Sequence, residues 1–148
     1  MTTSTTTKPI RLTDKIVRHA STYRRLCGFD AFAQESSGRI ILRTGAIELP
    51  PALCQRVIAA MLWPGPTIVS AGDPHPTATI LTGPIPLQLR HASTHAALSA
   101  AGAQLVADGD EVLLPSPRDP ARRWLPYEPL DPYRPSAQVV VTTILACR

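Results

Sequence analysis

The chain has 148 residues, 44% of them hydrophobic and 18% charged, enough for one stand-alone core and far from the composition of a disordered polymer. Fifteen Lys and Arg against eleven Asp and Glu give a net charge of +4, and thirteen of those cations are arginine, a balance too mild to mark a nucleic-acid protein by itself. Three scattered cysteines, Cys27, Cys54 and Cys147, without a CxxC or a Cys/His pair at zinc spacing, argue against a disulfide framework or a zinc site.

Residues 1–8, MTTSTTTK, offer nothing to bury and are expected to form a disordered tail ahead of a single domain over 9–148. They contain no apolar segment of the signal-peptide kind, and no run of about eighteen apolar residues follows, so the reading is a cytoplasmic protein without a membrane partner. Thr13 is placed to cap a helix from Asp14, in which Ile16, Val17, Ala20, Tyr23 and Cys27 fall near one face and Gly28 ends the run. Arg18, Arg24 and Arg25 form its solvated face.

After the polar turn Glu35-Ser36-Ser37-Gly38, a short strand is expected over Arg39–Arg43. Pro50-Pro51 opens a second helix carrying Leu53, Val57, Ile58 and Met61, and Pro64-Gly65-Pro66 stops it. Thr67–Ser70 and Ala78–Leu81 read as strands by their β-branched content. Ala92–Ala101 reads as a helix ending at Gly102. A hairpin of Gln104–Val106 and Glu111–Leu114 is then expected around Asp108-Gly109-Asp110. Trp124 falls on another short strand or an edge. Ser136 is placed to cap a last helix to Cys147, although QVVVTTIL also has strand propensity. The elements sum to an α+β domain, a mixed sheet of about five short strands with three to four helices.

Three groups carry candidate chemistry. Asp108 and Asp110 have the spacing of a divalent-cation pair, while Asp-Gly between two apolar runs is also what a hairpin turn requires. His75, braced by Pro74 and Pro76, is placed to present an imidazole from a rigid loop. Arg118, Arg122, Arg123 and Trp124 combine three guanidinium groups with an indole, a pattern that can engage phosphates and stack a base or a partner side chain. His91 and His95 stand four apart on one helix but lack a third ligand. Neither a Gly-rich phosphate loop nor a GxSxG motif is present.

The runs GAIELPPALCQRVIAAML and GPTIVSAGDPHPTATILTGP, with the block VLLPSPRDPARRWLPYEP, resemble a family of small actinobacterial proteins. Their layout is in turn similar to the N-terminal domain of bifunctional DNA primase/polymerases. The resemblance covers about residues 45–148 and implies a primase-like sheet, with His75 at the position of the family histidine. The acidic pair of that family projects from a strand, whereas Asp108 and Asp110 fall at a turn, so what the resemblance implies is a fold reused for binding.

The leading expectation is therefore a non-enzymatic module that binds nucleic acid or a partner protein through Arg118, Arg122, Arg123, Trp124 and His75, with no metal or cofactor. One alternative is a degenerate primase/polymerase-like enzyme using Mg at Asp108, Asp110 and His75. Another is a homodimeric interaction protein in which Pro126–Pro135, with Tyr127 and Tyr133, packs on a second subunit instead of the chain acting as a monomer.

Overall fold

A computed structural model describes residues 12–72, 75–106 and 109–148. The expected disordered tail, the cap from the Thr13 side chain, Pro74 and Asp108 lie outside what is described. Helix α1 (Leu12–Cys27) repeats apolar residues at helical spacing, and Ile16, Ala20, Tyr23 and Cys27 are buried on one face. Val17, expected on that face, is exposed at its margin. Gly28 ends the helix at φ +63°, a conformation that costs glycine little.

Strands β1 (Ala31–Gln34) and β2 (Arg39–Arg43) form an antiparallel hairpin about the turn at 35–38. The sequence reading passes over β1, because two of its four residues are alanine and its only large side chain, Phe32, faces outward under Arg43. It also passes over β3 (Ala46–Leu49), which follows β2 after only Thr44 and Gly45. Gly45 makes that corner possible. A Cβ there would lie 2.2 Å from the Gly83 carbonyl oxygen, and the Gly45 carbonyl accepts the Thr82 N–H at 2.9 Å.

Helix α2 (Pro51–Ala60) starts at the expected Pro-Pro step and buries Leu53, Cys54 and Val57. Strands β4 (Thr67–Ser70) and β5 (Thr77–Leu81) pair as a hairpin, a 3-10 turn spans Leu87–Arg90, and helix α3 (Ala92–Ala100) buries Leu98. After β6 (Gln104–Val106), β7 (Glu111–Leu114) and β8 (Arg122–Leu125), the chain ends in α4 (Ala137–Cys147). The choice of helix for α4 is settled by its start and its buried set. Ser136 Oγ accepts the Val139 N–H, and Ala137, Val140, Val141 and Ile144 fall at the spacing of one helical face.

The fold class is α+β. Among the described residues eight strands fall into two sheets, ordered β1-β2-β7 and β6-β3-β5-β4-β8, and every paired neighbour is antiparallel. The hairpin expected of β6 and β7 does not form. β6 lies along β3 in the larger sheet and β7 along β2 in the smaller one. An Asp-Gly signal favours a turn but does not choose a strand's neighbour. That choice follows burial, since Val106, Val112 and Leu114 enter the space between the sheets. The chain thus changes sheets three times, between β2 and β3, between β6 and β7 and between β7 and β8.

Two apolar layers result. One gathers α1, the smaller sheet and the near face of the larger sheet around Ile40, Leu42, Leu81 and Leu114. The other joins the far face of the larger sheet, through Ile47 and Ile80, to α2, α3 and α4. Within the first layer Tyr23 is the only large side chain with a hydroxyl, and it is fully used: its O–H donates to the Pro115 carbonyl at 2.7 Å and it accepts the Trp124 indole N–H at 3.0 Å. Tyr23→Phe would leave both partners buried and unpaired. We expect a loss of about 1–3 kcal/mol, measured as a lower urea midpoint with an unchanged slope.

Candidate functional site

The arginine–tryptophan group does not form one surface. Trp124 is only 9% exposed, its ring packed edge-on to Tyr23 (centroids 5.7 Å) and stacked with Phe29 (6.4 Å). Arg122 is held in an ion pair by Asp119, and its N–H also bonds the Asp119 carbonyl. Arg118 lies across the β1–β2 turn, where it occupies the space a Cβ on Gly38 would need, while Ser116 donates to the Gly38 carbonyl at 3.1 Å. Of the four, Arg123 alone is an exposed side chain beside a groove. The sequence shows the residue types but not that the indole faces inward from an edge strand.

His75 is exposed and lines a polar cleft of about 330 Å³ together with Glu48, Ser99 and Gln104, in which Gln104 donates to Glu48 at 2.6 Å. Asp110 is exposed and does not border this cleft, so the described member of the acidic pair and the histidine are not brought together. His91 and His95 are both exposed on or before α3. Among the described residues there is no group of three or more His, Cys, Asp and Glu side chains arranged to hold a metal ion, and no helix is long and apolar enough to cross a membrane.

A different surface stands out. From Pro126 to Pro135 the chain runs as a strap over the end of α1 and into α4, and each stretch of it is fastened. Glu128 accepts from His19 at 3.0 Å, the Cys27 thiol donates to the Pro129 carbonyl at 3.2 Å, and the Gly83 N–H donates to the Pro135 carbonyl at 2.9 Å. Arg134 donates to Thr44 at 2.7 Å and lies 5.3 Å from the centre of the Phe29 ring. The Tyr133 hydroxyl donates to the Trp63 carbonyl at 2.8 Å, which draws the end of α2 alongside the strap.

Although the strap is fixed to its own domain, its large side chains point outward. Leu62, Trp63, Tyr127, Leu130 and Tyr133 are 86%, 70%, 75%, 72% and 44% exposed. Tyr127, Leu130 and Tyr133 line a groove of about 340 Å³ together with Pro64, Pro66, Pro126 and Pro129, and Leu62 and Trp63 immediately precede the Pro64 wall. On the other side of Tyr127 lies a second hollow, of about 400 Å³, floored by Tyr23 and Trp124 and edged by Pro115, Pro117, His19, Arg123 and Glu128. Tyr127 and Tyr133 are legible in the sequence as candidates for a subunit contact. Leu62, Trp63 and Leu130 are not, because nothing local says that residues 62–66 and 126–135 meet.

Comparison with protein-family models, with curated proteins and with solved structures finds no match to this chain.

The buried thiols and the Tyr23 hydroxyl favour their neutral forms. Burial raises the Cys27 thiol to about 11, helped by the nearby carboxylates of Glu128 and Asp131, and burial alone raises Cys54 to about 11. Burial also moves the Tyr23 hydroxyl well above its usual range and lowers the Arg134 guanidinium. A thiol whose pKa is higher folded than unfolded stabilises fully below the ordinary thiol pKa, and that contribution disappears as pH rises through the folded value. The urea midpoint should therefore fall between about pH 8 and about pH 11, and Cys54→Ala should shrink the fall. In native protein at neutral pH a thiol reagent should modify Cys147, which is partly exposed, well ahead of the buried Cys27 and Cys54.

Proposed function

We propose that the protein is a binding module whose job is to hold a partner protein on the strap surface. The observation that carries this reading is the exposure of Tyr127, Leu130 and Tyr133 along a proline-walled groove, with Leu62 and Trp63 exposed in the segment that leads into its opposite wall. Contiguous apolar surface of this kind marks interaction sites on proteins that otherwise bury such groups. Tryptophan and tyrosine are also the residues that most often dominate binding energy, since they bring large contact area at little cost in side-chain entropy.

Nucleic-acid binding by the arginine loop has weaker support. Base stacking needs an accessible ring, and Trp124 is packed against Tyr23 and Phe29. Phosphate contact needs uncommitted guanidinium groups, and Arg122 is paired with Asp119.

A photoreactive phenylalanine placed at Leu130 tests the reading in the cells that make the protein. Irradiation should give a discrete adduct with another polypeptide, lost when Trp63 and Tyr133 are changed to Asp. The same probe at Ser99, exposed on α3, should give none. Equal, diffuse labelling from both positions would contradict a partner surface on the strap.

A further inference from the structure

We infer that the strap surface takes a proline-rich segment in polyproline II conformation, with a basic residue at the end that lies in the Asp131 groove. This rests on the reading of the strap as a partner surface and adds the chemistry of the partner. The first observation is the division of the surface by one aromatic ridge. Tyr127 borders both hollows, the one of about 400 Å³ and the one of about 340 Å³. A polyproline II helix has three residues per turn and rises about 3.1 Å per residue, so residues on one side recur about every 9 Å. Successive turns can then drop into neighbouring hollows astride a single ring.

The second observation is the nature of the walls. Proline and tyrosine rings line both hollows, flat apolar faces against which pyrrolidine rings pack. A polyproline segment also leaves its carbonyls without internal partners and seeks donors. The Tyr127 hydroxyl makes no hydrogen bond among the described residues, and its exposed ring lines both hollows. A helical partner would bring no such carbonyls. An added strand would need the free edge of β8, which Pro120 and Pro126 bracket closely.

The third observation is charge. Among the described residues Asp131 is the only charged one lining the groove of about 340 Å³, where it also accepts the Tyr133 N–H at 2.9 Å. In the other hollow Arg123 and Glu128 offset each other, and Glu128 is also hydrogen-bonded to His19. A carboxylate without a lining cation is thus found at the Asp131 end, which selects a cation there, whereas Arg123 disfavours one at the other end.

The test uses the full chain and three synthetic twelve-residue peptides, titrated by calorimetry. One repeats Pro-Pro-Leu-Pro and carries an arginine at one end, one has glutamate in place of that arginine, and one has every proline replaced by alanine. The arginine peptide should bind, and the glutamate peptide about fivefold to tenfold more weakly, as expected for reversing one partly exposed charge. The alanine peptide should not bind. Tyr127→Ala should abolish binding, and Asp131→Asn should remove the preference for arginine over glutamate. Both sites are exposed, so an unchanged urea midpoint separates lost binding from lost folding. Equal binding of the alanine peptide would overturn the inference in favour of a helical partner. Failure of all three peptides, with a discrete adduct still formed from position 130, would also overturn it while leaving the partner surface standing. Failure of the peptides together with loss of the adduct would remove both.

Discussion

The Tyr23 hydroxyl, between the Pro115 carbonyl and the Trp124 indole, is the contact on which the rest of the arrangement depends. It joins the first helix to both ends of the loop that runs from β7 to β8. A phenol in an apolar layer is stable only when its hydrogen bonds are made, and an indole N–H is under the same constraint. Each satisfies the other, so the position of α1 fixes where β8 can lie along β4. The strap leaves from the end of β8, and its course over α1 follows.

That course explains how a segment with four prolines, at 126, 129, 132 and 135, can be firmly held and yet present apolar side chains to solvent. Proline supplies a fixed φ and no donor, so few backbone groups need partners and the segment can be pinned at a handful of points. His19 and Cys27 of α1, Thr44 and Gly83 provide them from three different parts of the chain. Gly65 lets the Pro135 ring approach, since a Cβ there would lie 2.2 Å from its Cδ. The groove between residues 62–66 and the strap is thus formed before any partner arrives. Binding to a preformed surface avoids much of the ordering cost that weakens flexible ones.

The sequence displays its local rules clearly and its long-range ones poorly. Gly28 after α1, Pro50-Pro51 before α2 and Ser136 before α4 each act on the backbone beside them, and each is where the helix ends or begins. The pairing of β6 and β7 was not legible, because a turn signal is the same whether the strands it joins lie together or enter different sheets. β3 was hidden behind a corner of two residues. For the site, the composition of the arginine loop was visible, but whether Trp124 points in or out depends on Tyr23, about a hundred residues earlier. The surface that the fold does expose is assembled from two proline-rich stretches whose meeting no periodicity records.

The most direct check on this account is the environment of the two tryptophans. In a Trp63→Phe variant the remaining Trp124 should emit toward the blue and resist quenching by acrylamide, while wild type should show an additional, readily quenched component from Trp63. A Trp124 quenched as easily as free tryptophan would place the indole on the surface and contradict both the Tyr23 tie and the strap surface built on it.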